Sequence, residues 1–148
     1  MLSRARSLQR HLSDSVTKPL RLLFVCVENS NRSQMAQAFA RLHGGERVDA
    51  HSAGSRPSGR VNPKAIAAMA ELDYDLNTHS STSLDGLPEG EFDAVVTMGC
   101  GDACPSVPAR VREDWQIPDP RDLEPEAFRE VRDLVGREVL ALLDRLSV

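Results

Sequence analysis

Continuous apolar runs, separated by stretches whose apolar residues recur at helical spacing, predict an α/β fold: one domain, in three α/β/α layers, around a mostly four-stranded parallel sheet. Three observations carry the prediction. The runs Leu20 to Val27 and Asp93 to Met98 are apolar without alternation, as strands covered on both faces are. The stretches between them are long enough for the helical crossovers that parallel neighbours require. Finally, 148 residues, 41% hydrophobic and 27% charged, match one globular domain with its own core, and no repeat or low-complexity tract interrupts them.

Residues 1–18 stand apart from that pattern. Arg4, Arg6, Arg10 and Lys18 face a single acid, Asp14, and the longest apolar stretches are one or two residues, too short for a secretory signal core. We read this segment as a disordered basic arm without assigned function, and residues 19–148 as the folded domain. Leu20 to Val27 is the first strand. Gln34 to Leu42 follows as a helix, with Met35, Phe39 and Leu42 inside and Ser33 as its N-cap. Arg47 to Ser52 is a shorter strand before Ala53-Gly54. Asn62 caps a second helix, with Pro63 at its first position and Ile66, Met69 and Ala70 on its inner face. Asp93 to Met98 is a buried strand entered from a Gly-, Pro- and Glu-rich loop, Asp85 to Glu91. Trp115 to Ile117 is the short last strand. Pro125 to Leu146 is the longest helix, with Phe128, Val131, Val135, Val139, Leu142 and Leu146 as its buried stripe.

A net charge of -4 and a pI near 5.5 argue against the extended positive surface that nucleic acid or an anionic membrane selects, so any anion site is local. No segment reaches transmembrane length. Three cysteines, an odd number, do not make the framework of a secreted disulfide scaffold, and are read as thiols of a reducing cytoplasm.

The most informative segment is Cys26-Val27-Glu28-Asn29-Ser30-Asn31-Arg32-Ser33, a CxxxxxR loop between the first strand and the first helix. A loop that curls into a helix N-terminus turns several backbone N–H groups toward one point, where the helix dipole also favours negative charge. A tetrahedral oxyanion is the ligand expected there. Arg32 adds a planar fork for two of its oxygens, and the same positive field favours the thiolate of Cys26. The spacing alone is weak in a chain whose basic residues are nearly all arginine; the flanking strand and helix are what give it weight. Asp119, between two prolines, is stiffly held and is the candidate general acid. Cys100 and Cys104 leave three readings: a redox pair, part of a zinc site, or two small buried side chains. No second Cys or His pair stands near enough to complete a zinc shell, and no metal is assigned. His11, His43, His51 and His79 share no catalytic or metal-ligand spacing and are read as surface or core residues.

Taken in order, CVENSNRSQMA (Cys26 to Ala36), HSAG (His51 to Gly54), VNP (Val61 to Pro63), TMGCGDACP (Thr97 to Pro105) and DWQIPDP (Asp114 to Pro120) resemble the arsenate reductases of the low-molecular-weight tyrosine phosphatase fold. The resemblance covers roughly Pro19 to Val148. It implies that arsenate docks in the loop, with phosphate or sulfate as competitors, that Cys26 attacks arsenic, and that Asp119 protonates a departing oxygen. Cys100 would then attack Cys26 and release arsenite, Cys104 would attack Cys100, and an external thiol donor would reduce the Cys100 to Cys104 disulfide, with no bound cofactor; the Cys100 and Cys104 pair favours thioredoxin as that donor over a small thiol such as glutathione or mycothiol. Asn29 and Ser33 are implied to shape the loop and stabilise the thiolate. Thioredoxin-coupled relatives hold potassium with an Asn at Asn29, a Glu where this chain has Gln37, a Ser at Ser52 and an Asp aligning with Asp75, so Gln37 removes a carboxylate from that site.

The alternative is a low-molecular-weight protein tyrosine phosphatase working through phospho-Cys26. Against it stand Arg121-Asp122 after the Asp-Pro, where that family has tyrosine, and a single tyrosine, Tyr74, in the whole chain. Intact Cys26, Arg32 and Asp119 argue against a non-catalytic anion-binding module. The expectation is a monomeric cytoplasmic enzyme without nucleic-acid or membrane partners.

Overall fold

The computed structural model describes residues 18–99 and 107–148. Nearly all of the basic arm, and the segment with Cys100 and Cys104, lie outside the described residues. The elements are β1 (Leu20–Cys26), α1 (Arg32–Gly44), β2 (Val48–Gly54), α2 (Pro63–Ala70), β3 (Phe92–Thr97), β4 (Ala109–Asp114) and α3 (Pro125–Arg145). The strands form one all-parallel sheet in the order β2-β1-β3-β4.

Central placement follows from apolarity. β1 is the strand whose residues Leu22 to Val25 are all fully buried, and it sits between β2 and β3. Leu22, Phe24 and Cys26 join the buried residues of all three helices in one cluster. Leu23 and Val25 turn to the other face, where Ala53, Phe92 and Val95 meet them under Leu84 and Leu87 of a short 3-10 segment. Each large apolar side chain so enclosed contributes about 1.5–3 kcal/mol. The register places Cys26 opposite Gly54, Val25 opposite Thr97, and Thr97 opposite Asp114. The strand C-termini are therefore level, and the segments that leave them share one sheet edge, where ligands of parallel sheets bind.

The helices dock by close approach. A Cβ at Gly136 of α3 would stand 3.0 Å from the Phe39 ring of α1, so this glycine lets the two helices meet. Asn62 caps α2 as expected, its side chain accepting from Lys64 N–H at 3.0 Å with Pro63 at the first position. At the other end of α2, the buried Arg132 of α3 donates to Ala68 O at 2.9 Å and to Glu71 Oε1 at 2.7 Å. With Arg129 and Arg132 both hydrogen-bonded to it, the Glu71 carboxyl is held down to about 2.

Four expectations are corrected. The last strand is Ala109–Asp114, not Trp115 to Ile117: it is an exposed edge strand carrying Arg110, Arg112, Glu113 and Asp114, which protects the edge and hides the strand from any apolar pattern. Trp115 and Ile117 are buried, but in the segment that leaves the sheet. Leu42 is 42% exposed rather than inside α1, because the last turn of that helix runs past the core. The inner face of α2 is Ala65, Ala68 and Met69, with Ile66 partly buried against the same core and Ala70 exposed. Asn31 occupies the N-cap position of α1, and Ser33, inside the first turn, spends its hydroxyl elsewhere. No helix among the described residues is long and apolar enough to cross a membrane.

Candidate functional site

Cys26 ends β1 and is 3% exposed; the loop after it curls over the sheet edge into α1. Its outer side is held by a neighbouring segment. Ser55 N–H donates to Cys26 O at 3.2 Å, Arg56 N–H to Val27 O at 2.8 Å, Ser58 N–H to Glu28 O at 3.0 Å and Asn62 N–H to Ser30 O at 3.1 Å. In a planar trans peptide the N–H points opposite to the C=O, so the N–H groups of Val27, Glu28, Asn29 and Asn31 face away from that segment, into the concavity. Asn29 takes the turn at φ 51°, a left-handed conformation that asparagine tolerates better than most residues. Gly54 permits the tight seat: a Cβ there would lie 2.6 Å from Val27 O.

Arg32 is buried at the first turn of α1. Its Nη1 donates to Ile117 O at 3.1 Å, and its Nη2 stands 3.9 Å from Asp119 Oδ2. That first contact aims the guanidinium, and the Ile117 side chain is anchored in the main core cluster. Asp119 is half-exposed, and its Oδ1 accepts from Arg121 N–H at 3.1 Å. The Arg121 side chain reaches back to Glu28 Oε1 at 3.2 Å, closing a rim. The result is a pocket of about 370 Å³ lined by Cys26, Val27, Glu28, Ser30, Asn31, Arg32, Gly99, Asp119 and Arg121. Every described member of the expected site except the fully buried pair Asn29 and Ser33 lines this one pocket.

Asn29 and Ser33 act from behind the pocket. Asn29 Nδ2 donates to Ser33 Oγ at 2.8 Å, and Ser33 Oγ lies 2.9 Å from Cys26 Sγ. The positions that the resemblance aligned with a cation site are engaged in hydrogen bonds of their own. Gln37 Oε1 accepts the Ser52 hydroxyl at 2.5 Å and Gln37 Nε2 donates to Ala50 O, while Asp75 caps the 3-10 turn Leu76–Thr78 through Asn77 N–H. Among the described residues no group of three or more His, Cys, Asp or Glu side chains could hold a metal ion.

Sequence reasoning missed Gln34, His79 and Tyr74. Gln34 Nε2 donates to Asn29 O and Oδ1 at 3.0 Å, its Oε1 lies 2.8 Å from His79 Nδ1, and His79 Nε2 lies 2.6 Å from Tyr74 Oη. Burial, reinforced by the Arg41 guanidinium, lowers His79 to about 4, so its ring stays neutral well below pH 7. The only signal available was a fully polar side chain, Gln34, on a helix face that the apolar spacing turns inward.

The model of the low molecular weight phosphotyrosine protein phosphatase family matches residues 21–148. Arsenate reductase 2 of Staphylococcus saprophyticus is 40% identical over 127 residues, covering 83% of this chain and 95% of its own length. A solved arsenate reductase in the phosphate-binding state superposes with a TM-score of 0.78 at 36% identity, covering 85% of this chain and 98% of that one. The thioredoxin-dependent arsenate reductase of Corynebacterium glutamicum superposes with a TM-score of 0.72 at 27% identity, covering 92% of this chain and 67% of that one. With the CxxxxxR loop, the level strand ends and Asp119 already in place, these likenesses mean that the chain belongs to the low molecular weight phosphotyrosine protein phosphatase family and, within it, to the arsenate reductases.

Proposed function

We propose that this enzyme reduces arsenate to arsenite with Cys26 as nucleophile and a Cys26/Cys100/Cys104 disulfide relay that thioredoxin regenerates. The observation that carries the reading is the makeup of one pocket: Cys26 and Arg32 share it with Asp119, and its wall includes Gly99, the covalent neighbour of Cys100.

Arsenate enters between the loop amides and Arg32, which neutralise its charge. The Cys26 thiolate forms a sulfur–arsenic bond while an arsenate oxygen leaves as water, its proton supplied by Asp119. The Cys100 thiolate then attacks the Cys26 sulfur. The sulfur–arsenic bond breaks with its electron pair going to arsenic, which departs as arsenite, and Cys26 and Cys100 are left oxidised as a disulfide. Cys104 displaces Cys26 from Cys100, freeing the nucleophile. A dithiol donor reduces the resulting Cys100 to Cys104 disulfide; thioredoxin is the donor carried in the name of the Corynebacterium glutamicum relative. Phosphate and sulfate, of the same shape and charge sign, compete for the loop.

The test is arsenate-dependent NADPH oxidation coupled through thioredoxin and thioredoxin reductase, with p-nitrophenyl phosphate hydrolysis run beside it. The relay predicts that Cys26→Ser loses both activities, whereas Cys100→Ser and Cys104→Ser lose arsenate turnover alone. Cys104→Ser should also stop after one equivalent of arsenite, with Cys26 disulfide-bonded to Cys100. Steady arsenate turnover in Cys104→Ser, or strong phosphatase activity without any arsenate turnover in the parent enzyme, sinks the relay.

A further inference from the structure

We infer that Glu28 and Arg121 are specificity-determining residues: their ion pair spans the mouth of the Cys26 pocket and selects a bare tetrahedral oxyanion over one that carries an organic substituent. The inference rests on the reading of the pocket as the oxyanion site and adds a filter at its entrance.

Arg121 Nη1 lies 3.2 Å from Glu28 Oε1 although the two residues stand 93 positions apart. Both line the pocket of about 370 Å³ that holds Cys26, Arg32 and Asp119. Their backbones are fixed. Arg121 N–H donates to Asp119 Oδ1 at 3.1 Å, and Arg121 O accepts Lys64 Nζ at 3.2 Å. Glu28 O accepts both Ser58 N–H and the Ser81 hydroxyl at 3.0 Å. Their side chains, by contrast, are 58% and 39% exposed, so water screens the pair and it parts at small cost. A carboxylate on the wall of an anion pocket repels the anion unless a cation answers it, and Arg121 is the cation that answers Glu28.

Placement gives the pair its meaning. Displacement at a tetrahedral centre runs in line, so the leaving oxygen is the one opposite Cys26. That is the side of Asp119, its proton donor, and Arg121 N–H is bonded to the Asp119 carboxyl. The leaving oxygen therefore points toward the ion pair. In a bare oxyanion it carries at most a proton and needs no room beyond the pair. In an ester the organic group hangs from that oxygen and has to part Arg121 from Glu28 to be seated. Because an exposed ion pair is worth little, the filter should discriminate roughly threefold, and no more than about fivefold.

The experiment is calorimetric binding of phosphate and of phenylphosphonate to the full chain. The second ligand carries a similar anionic head on an aryl ring and is not hydrolysed. In Glu28→Gln and in Arg121→Ala alike, the ratio of phenylphosphonate to phosphate affinity should rise about threefold, and the double variant should rise no further than Arg121→Ala. In about 1 M sodium chloride the parent should approach the ratio of Glu28→Gln, because salt screens the pair. Charges acting on the anion alone predict something else: both ligands bind more weakly to Arg121→Ala and more tightly to Glu28→Gln, with the ratio fixed. A ratio that stays fixed in Glu28→Gln overturns the filter and leaves the arsenate reading standing. A parent that binds neither ligand removes the oxyanion site, and both readings fall with it.

Discussion

Gly54→Ala tests how closely the Cys26 to Ser33 loop depends on the strand beside it. The added methyl carbon would lie 2.6 Å from Val27 O and 3.0 Å from both the N and the Cβ of Asn29, whereas ordinary van der Waals contact begins at 3.4 Å. The loop must therefore give by close to an ångström. It cannot give by a rotamer change, because the obstructing atom is a backbone carbonyl that already accepts Arg56 N–H at 2.8 Å. Overpacking of this kind destabilises by about 1–3 kcal/mol, and a rigid backbone neighbour puts Gly54→Ala in the upper half of that range. The functional loss should be larger in proportion, since a 1 Å misplacement at a reacting centre costs roughly a hundredfold in rate. Urea unfolding, sulfate binding and arsenate turnover measure the three consequences. Gly86→Ala is the control, because nothing lies within 4 Å of a Cβ there. Parent-like turnover and stability in Gly54→Ala would refute the reasoning; so would lost stability with undiminished turnover, since the strain would then not reach the loop.

Further perturbations read other parts of the molecule. Arg32→Lys keeps the charge but loses the planar fork and the aim set by Ile117 O, and should lower arsenate turnover by about a hundredfold or more with little change in urea stability. His79 is lowered from 6.5 to about 4 by burial and Arg41, so the unfolded chain binds a proton that the folded chain does not. Its contribution is present above pH 6.5 and is lost as pH falls toward 4; urea midpoints of the parent should drop across that window and those of His79→Asn should drop less. Glu71, lowered from 4.5 to about 2 by its hydrogen bonds to Arg129 and Arg132, adds a second loss at lower pH, which Glu71→Gln should remove. Phe128→Ala, at a side chain 2% exposed beneath α3, should cost about 3–5 kcal/mol in urea unfolding and leave the pH dependence of turnover unchanged.

Some of this molecule is settled by short stretches of chain. Leu20 to Val27 and Asp93 to Met98 are apolar enough to be buried strands in almost any context, and Phe128, Val131, Val135, Val139 and Leu142 repeat at a spacing that only a helix lines up. The place of the Cys26 to Ser33 loop was legible for the same reason: it lies between two recognisable elements, β1 and α1. β4 was not legible, because an exposed edge strand is built from charged residues that carry no burial signal, whereas Trp115 and Ile117 carry that signal without pairing in the sheet. The place of Asp119 over the pocket, the carbonyl that aims Arg32, the seat that Gly54 offers the loop, and the chain from Tyr74 to Cys26 were likewise decided only by the tertiary structure. Each brings together residues tens of positions apart, and close polar contacts weaken steeply with small changes in distance and angle. Periodicity and composition decide which segments are buried; which polar atoms meet inside is decided by how the buried segments stack.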